Sequence, residues 1–197
     1  MPLGLYSGDR LMLSRRFFSR RKAIVGGVAA LVTALAKPVL ATPGYIYYRR
    51  VAFHNLNTAE SLDAVYWAND YYIPQSLKRI DWVLRDFHVN ATHAIDKKLL
   101  DLLFALQRRL NTDEPFQVTS GYRSPKTNAR LVKLNEGGAA HSLHMKGMAV
   151  DVFLKERSIG DLHSAAIAAG AGGVGYYPSH GFIHLDVGPV RQWSENG

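Results

Sequence analysis

Apolar positions recur along this chain at two different spacings, and the changes between them mark its elements. Val51-Ala52-Phe53 and Leu62 to Trp67 are apolar-rich runs within a mostly β stretch from Tyr45 to Trp67. The turn-forming residues between them, Asn55 to Ser61, predict a hairpin. The spacing then lengthens to three and four. Pro74 suits the first turn of a helix with a stripe of Leu77, Ile80, Leu84 and Phe87. Asp96 is placed to cap a second helix that turns Leu99, Leu102, Leu103, Leu106 and Leu110 inward. Both stripes read as core. Asn111 to Pro115 is a loop and Phe116 to Val118 a short strand. Ser124 and Pro125 are the cap and first position of a helix reaching Leu134, and a glycine-containing loop follows from Asn135 to Ala140. Ser158 caps a further helix, Leu162 to Ala169, which Gly170 ends. Gly172 to Tyr177 is a strand, and the turn Pro178 to Gly181 leads into another around His184.

Two carboxylates and two imidazoles interrupt these apolar runs. Met148 to Leu154 reads as a strand broken only by Asp151. A carboxylate buried there is costly unless a cation or hydrogen bonds compensate it. His144 lies seven residues earlier, before Gly147, which is free to take a turn that other residues resist. In the last run Phe182, His184 and Asp186 share one strand face, with Ile183, Leu185 and Val187 on the other. If the two strands pair, His144, Asp151 and His184 converge. Two histidines, a carboxylate and a fourth position left to water form the ligand set of a catalytic zinc site. His54, His88, His93 and His163 have no such company and read as surface or structural residues, whereas His141 is near enough to His144 to support it.

Charge looks decisive until the first 41 residues are set apart. The chain has 197 residues, a formal charge of +8 and no cysteine. Ser14-Arg15-Arg16-Phe17-Phe18 precedes an apolar run from Ala23 to Leu35, too short for the roughly 20 residues of a membrane span. Val39-Leu40-Ala41 offers the small residues of a cleavage site, so residues 1–41 are expected to be removed. Their paired arginines resemble a twin-arginine export signal, which implies the export machinery as a partner of the precursor and a periplasmic destination. An uncut basic anchor is the alternative. The segment holds seven of the 24 Lys/Arg and one of the 16 Asp/Glu, leaving 17 and 15 and a net charge of +2. A nucleic-acid binder keeps its basic excess in the folded domain, so that class is disfavoured. Without cysteine there is neither a disulfide scaffold nor a thiol nucleophile.

Three separated motifs now stand in order: Ser-Gly-Tyr-Arg-Ser-Pro at 120–125, Ser-x-His-x-x-Gly-x-Ala-x-Asp at 142–151, and Gly-Gly-Val-Gly-Tyr-Tyr-Pro with Phe-Ile-His-Leu-Asp across 172–186. Together they resemble the zinc D-Ala-D-Ala metallopeptidase family, and within it the murein endopeptidase K-type branch, over about Val51 to Trp193. The resemblance implies an α+β fold of the hedgehog/DD-peptidase kind, a single domain in which a small antiparallel sheet carries the zinc and helices flank it. Residues 42–70 are then an N-terminal β extension and 71–197 the peptidase domain. It makes His144, Asp151 and His184 the ligands of one Zn2+, and peptidoglycan stem peptides the substrate. It places Arg123 near the bound peptide, as oxyanion partner or as a grip on a carboxylate. Ser142 and Tyr122 are expected substrate contacts. Many relatives carry an acid or histidine three residues before the last ligand, where this chain has Gly181. His180 and Asp186 are the two candidates for the missing base, and the sequence leaves the choice open. It also leaves open a carboxypeptidase trimming terminal D-amino acids and a non-catalytic cell-wall-binding module on the same fold.

Overall fold

Capping and apolar spacing account for the four α-helices among the described residues. In the computed structural model residues 47–135, 138–170 and 172–195 are described, and they form one compact unit. Residues 1–41, expected from the sequence to be an export signal, lie outside them. Helix α1 spans Pro74–Val83 with proline in its first turn. Helix α2, Lys97–Arg109, starts where Asp96 accepts from the Lys98 amide at 2.8 Å. Helix α3, Pro125–Leu134, is capped by Ser124, and α4, Ile159–Ala169, by Ser158. The expected stripe of α2 is buried at Leu99, Leu102, Leu103 and Leu106, with Leu100 beside it.

Helix α1 stops sooner than its stripe implies. Ile80 and Leu84 are fully buried, but Phe87 is 38 % exposed. The carbonyl of Leu84 turns away to accept from the Tyr122 amide at 2.7 Å. Asp86 then pairs with Ala91 through both backbone groups, and its buried carboxylate accepts from the Ser124 amide at 2.9 Å. These tertiary bonds end the helix before Phe87. They also bring residue 121 against Leu84, where a Cβ would lie 2.4 Å from the Leu84 carbonyl oxygen. Only glycine fits there.

Eight strands make one sheet: β1 (Tyr48–Asn55), β2 (Ser61–Ala68), β3 (Tyr71–Tyr72), β4 (Phe116–Ser120), β5 (Ala149–Phe153), β6 (Gly173–Tyr177), β7 (Phe182–Asp186) and β8 (Arg191–Ser194). Their order is β3-β2-β1-β4-β5-β7-β6-β8. The α+β class holds. The sheet is larger than the sequence pattern implies, and two of its pairs, β1 with β4 and β6 with β8, are parallel. The first follows from the crossover through α1 and α2, since a parallel neighbour needs a long connection. Of the β extension expected at 42–70, the described residues thus contribute β1 and β2 to the same sheet as the motif strands. Val51, Phe53, Val118, Val150, Val152, Ile183 and Leu185 join the helix leucines in one core. The opposite faces of β5 and β7 are left for the site.

Candidate metal centre and active-site cleft

Strand register assembles the site. Asp151 on β5 stands directly opposite His184 on β7. On one side Ser120 of β4 pairs with Asp151, and on the other Gly175 of β6 pairs with His184 and Trp193 of β8 with Gly175. One row therefore crosses five strands. His144 reaches this row from a single 3-10 turn, Leu143–Lys146, which Gly147 ends at φ +65°. A Cβ on Gly147 would lie 2.3 Å from the Ala94 carbonyl oxygen, so conformation and space both require glycine.

The three expected ligands meet. Asp151 Oδ1 is 2.8 Å from His184 Nδ1 and 3.2 Å from His144 Nε2, and the two imidazole nitrogens are 3.1 Å apart. A tetrahedral ion with bonds of about 2.0–2.1 Å sets its donors about 3.3 Å apart, so the triangle has only to open by a few tenths of an ångström. The remaining polar atom of each residue is fixed by a separate partner. His144 Nδ1 donates to the Gly121 carbonyl at 2.7 Å, which leaves Nε2 unprotonated toward the cluster. Arg123 Nη2 donates to Asp151 Oδ2 at 2.6 Å while its Nε donates to Ser120 Oγ at 2.8 Å. His184 Nε2 donates to Asp186 Oδ2 at 3.0 Å. Such supports fix ring orientation and tautomer at metal sites. The residues present fit a bound metal ion.

Electrostatics point the same way. Burial pushes the His144 pKa down, which favours the neutral imidazole a metal needs. Burial would push Asp151 up, but His144 and His184 together hold it well below the usual carboxylate range. For His184 burial acts downward and is outweighed by hydrogen bonds to Asp151 and Asp186, which push it up to about 9. A proton on Nδ1 thus occupies the place of the metal in the metal-free chain, and binding must release it.

The cluster forms the floor of an open cavity of about 370 Å³. Arg123, Ser142, His141, Tyr177, Phe182, Trp193 and Arg191 are among the residues that line it. Tyr177 and Phe182 are stacked with ring centres 4.9 Å apart, and the Trp193 indole donates to the Tyr177 hydroxyl at 2.7 Å. The structure does not bring every expected residue here. Tyr122 packs against the core and stacks on His93 at 4.9 Å, away from the cavity lining. His180 does not line the cavity either; its Nδ1 is 2.9 Å from Glu195 Oε2 and its side chain is 66 % exposed. Asp186 is fully buried and accepts from five donors: the Gly173 and Gly188 amides, His184 Nε2, and both terminal nitrogens of Arg191. A carboxylate so engaged has no lone pair to offer a water. Arg191 and Trp193 carried no signal beyond the alternation Arg191-Gln192-Trp193, which puts both on one face of β8.

A mixed sheet that presents a His-Asp-His donor set, each member braced, in a cleft is an arrangement suited to a metal-dependent hydrolase. The family described as peptidoglycan L,D-endopeptidase MepK matches residues 46–193. The chain is 39 % identical to "Peptidoglycan L,D-endopeptidase MepK" of Escherichia coli K12 over 176 residues, covering 89 % of this chain and 97 % of that one. The figures for the Shigella flexneri protein are the same. The "Probable peptidoglycan L,D-endopeptidase MepK" of Haemophilus influenzae Rd is 35 % identical over 175 residues, 88 % of this chain and 94 % of the other. The chain belongs to this peptidase family.

Proposed function

We propose that this protein is a zinc-dependent endopeptidase of the periplasm that hydrolyses L,D peptide cross-links between the stem peptides of peptidoglycan, carried there by residues 1–41 through the twin-arginine machinery. The observation that carries the reading is the donor triangle of His144, Asp151 and His184, with every member held by its own hydrogen bond at the floor of an open cavity. Two nitrogens and one oxygen suit zinc among the divalent ions. When bound, the metal supplies Lewis acidity to a water and to the scissile carbonyl.

The protein's own groups do the rest. Arg123 keeps Asp151 Oδ2 away from the metal position and sets a positive charge beside the carbonyl under attack. Asp186 holds the ring of His184 and does not act as base. His141 lines the cavity and, unlike His180, makes no hydrogen bond among the described residues. We assign proton transfer to it. Ser142, which lines the cavity, is the substrate-backbone contact in this reading.

The test is digestion of cross-linked muropeptides by the metal-loaded protein, with and without chelator, resolved by mass spectrometry. Dimeric fragments should disappear, chelator should prevent this, and zinc should restore it. The His184→Ala protein should neither retain metal nor cleave. Loss of a terminal residue alone would replace the endopeptidase by a carboxypeptidase, and intact dimers with metal bound would leave only a binding module.

A further inference from the structure

The cleft contains a second arginine, and one of its edges has no partner among the described residues. Arg191 grips Asp186 end-on, with Nη2 2.6 Å from Oδ2 and Nη1 3.1 Å from Oδ1. Nη1 also donates to the Pro189 carbonyl at 3.1 Å. A guanidinium carries five N–H donors in a planar fork and can bind carboxylates along two edges. The second edge of Arg191, Nε–H with the outer hydrogen of Nη2, has no partner among the described residues. The group is held still by the buried Asp186 and lies 5.0 Å above the Trp193 ring. It nevertheless remains 44 % exposed and lines the cavity. It is a fixed donor pair on a residue that lines a ligand-sized space.

The charge of the cleft calls for an anion. Asp151 and Asp186 are balanced by Arg123 and Arg191. A divalent metal held by two uncharged imidazole donors would then leave an excess of two positive charges. On the endopeptidase reading above, the substrate supplies the anion. An L,D bond joins the carbonyl of an L centre to the nitrogen of a D centre. When that D centre belongs to a cross-linking diamino diacid, it keeps a free carboxylate on the carbon bonded to the scissile nitrogen.

We propose that Arg191 is the specificity-determining residue of the cleft, binding this carboxylate through its Nε/Nη2 edge with Trp193 as the surface beneath. The inference rests on the endopeptidase reading and adds to it the group that the site recognises.

Two synthetic cross-linked peptides test it, identical except that one carries the D-centre carboxylate and the other its carboxamide. A charged hydrogen-bonded pair contributes about 1.5–3 kcal/mol, so kcat/KM should favour the acid by about 10- to 100-fold. In Arg191→Gln the preference should fall to within about threefold, with the loss on the acid peptide and chiefly in KM, assayed at saturating zinc with bound metal measured. Arg191→Lys, which keeps the charge without the fork, should retain part of the preference. Equal rates on the two peptides in the unmodified protein overturn the assignment. So does an equal loss on both in Arg191→Gln accompanied by loss of metal, because Arg191 then acts only through Asp186. Removal of terminal residues with neither cross-link cut would instead bring down the endopeptidase reading, and the assignment with it.

Discussion

Each donor of the metal centre depends on one neighbour, and the neighbours differ in what their loss should do. In Asp186→Asn the charge facing His184 Nε2 and Arg191 disappears while the Gly173 and Gly188 amides keep an acceptor. Metal affinity should fall by about 10- to 100-fold, measured by competition with a chromophoric chelator. His141→Gln should instead keep its metal and lose turnover, so assays of binding and of kcat separate the two residues. That His144, Asp151 and His184 come together was legible because their spacing around Gly147, and on the face shared with Asp186, has a chemical meaning. The surroundings of Asp186 were not: the five donors it accepts from come from three separate stretches of the chain. Arg191 was silent for a simpler reason, since one arginine on a short edge strand forms no pattern.

At the scale of elements, the helices followed from capping residues and apolar spacing, most clearly in α2. Leu103 there is fully buried in the core. Leu103→Ala should cost about 2–5 kcal/mol in chemical denaturation while leaving the metal affinity of the folded protein near that of the parent. The end of α1 could not be read, because the Leu84 carbonyl is claimed by Tyr122 38 residues away in sequence. Strand direction was equally hidden. Alternation tells which face of β1 or β6 is buried but says nothing about the partner, so the two parallel pairs emerged only with the sheet order.

For the molecule as a whole, folding and metal loading draw on the same proton. In the metal-free protein His184 sits between Asp151 and Asp186 with its pKa raised to about 9, against about 6.5 for an unfolded histidine. A raised native pKa stabilises fully below the unfolded value and ceases to as pH climbs through the native one. The metal-free protein should therefore lose stability between about pH 6.5 and 9, by on the order of 3 kcal/mol. Metal affinity should rise over the same window as the competing proton leaves. Urea denaturation at three pH values, with chelator and with zinc, should show the two curves diverging; parallel curves would remove His184 from the account. The formal charge can be counted from the sequence alone, but the raised pKa belongs to a junction of strands that no local stretch reveals.

The five-strand row that supports the site has an order in time as well as in space. Ser120, Asp151, His184, Gly175 and Trp193 lie side by side, yet in the chain Trp193 comes after all the others and β8 after every other strand. During synthesis the ribosome therefore delivers all three metal donors before it delivers the strand that braces Asp186 and walls the cleft. A nascent chain halted before residue 191 carries the donors without their finished surroundings, so an enzyme that cuts the cell wall acquires its complete cleft only with the last strand of the sheet.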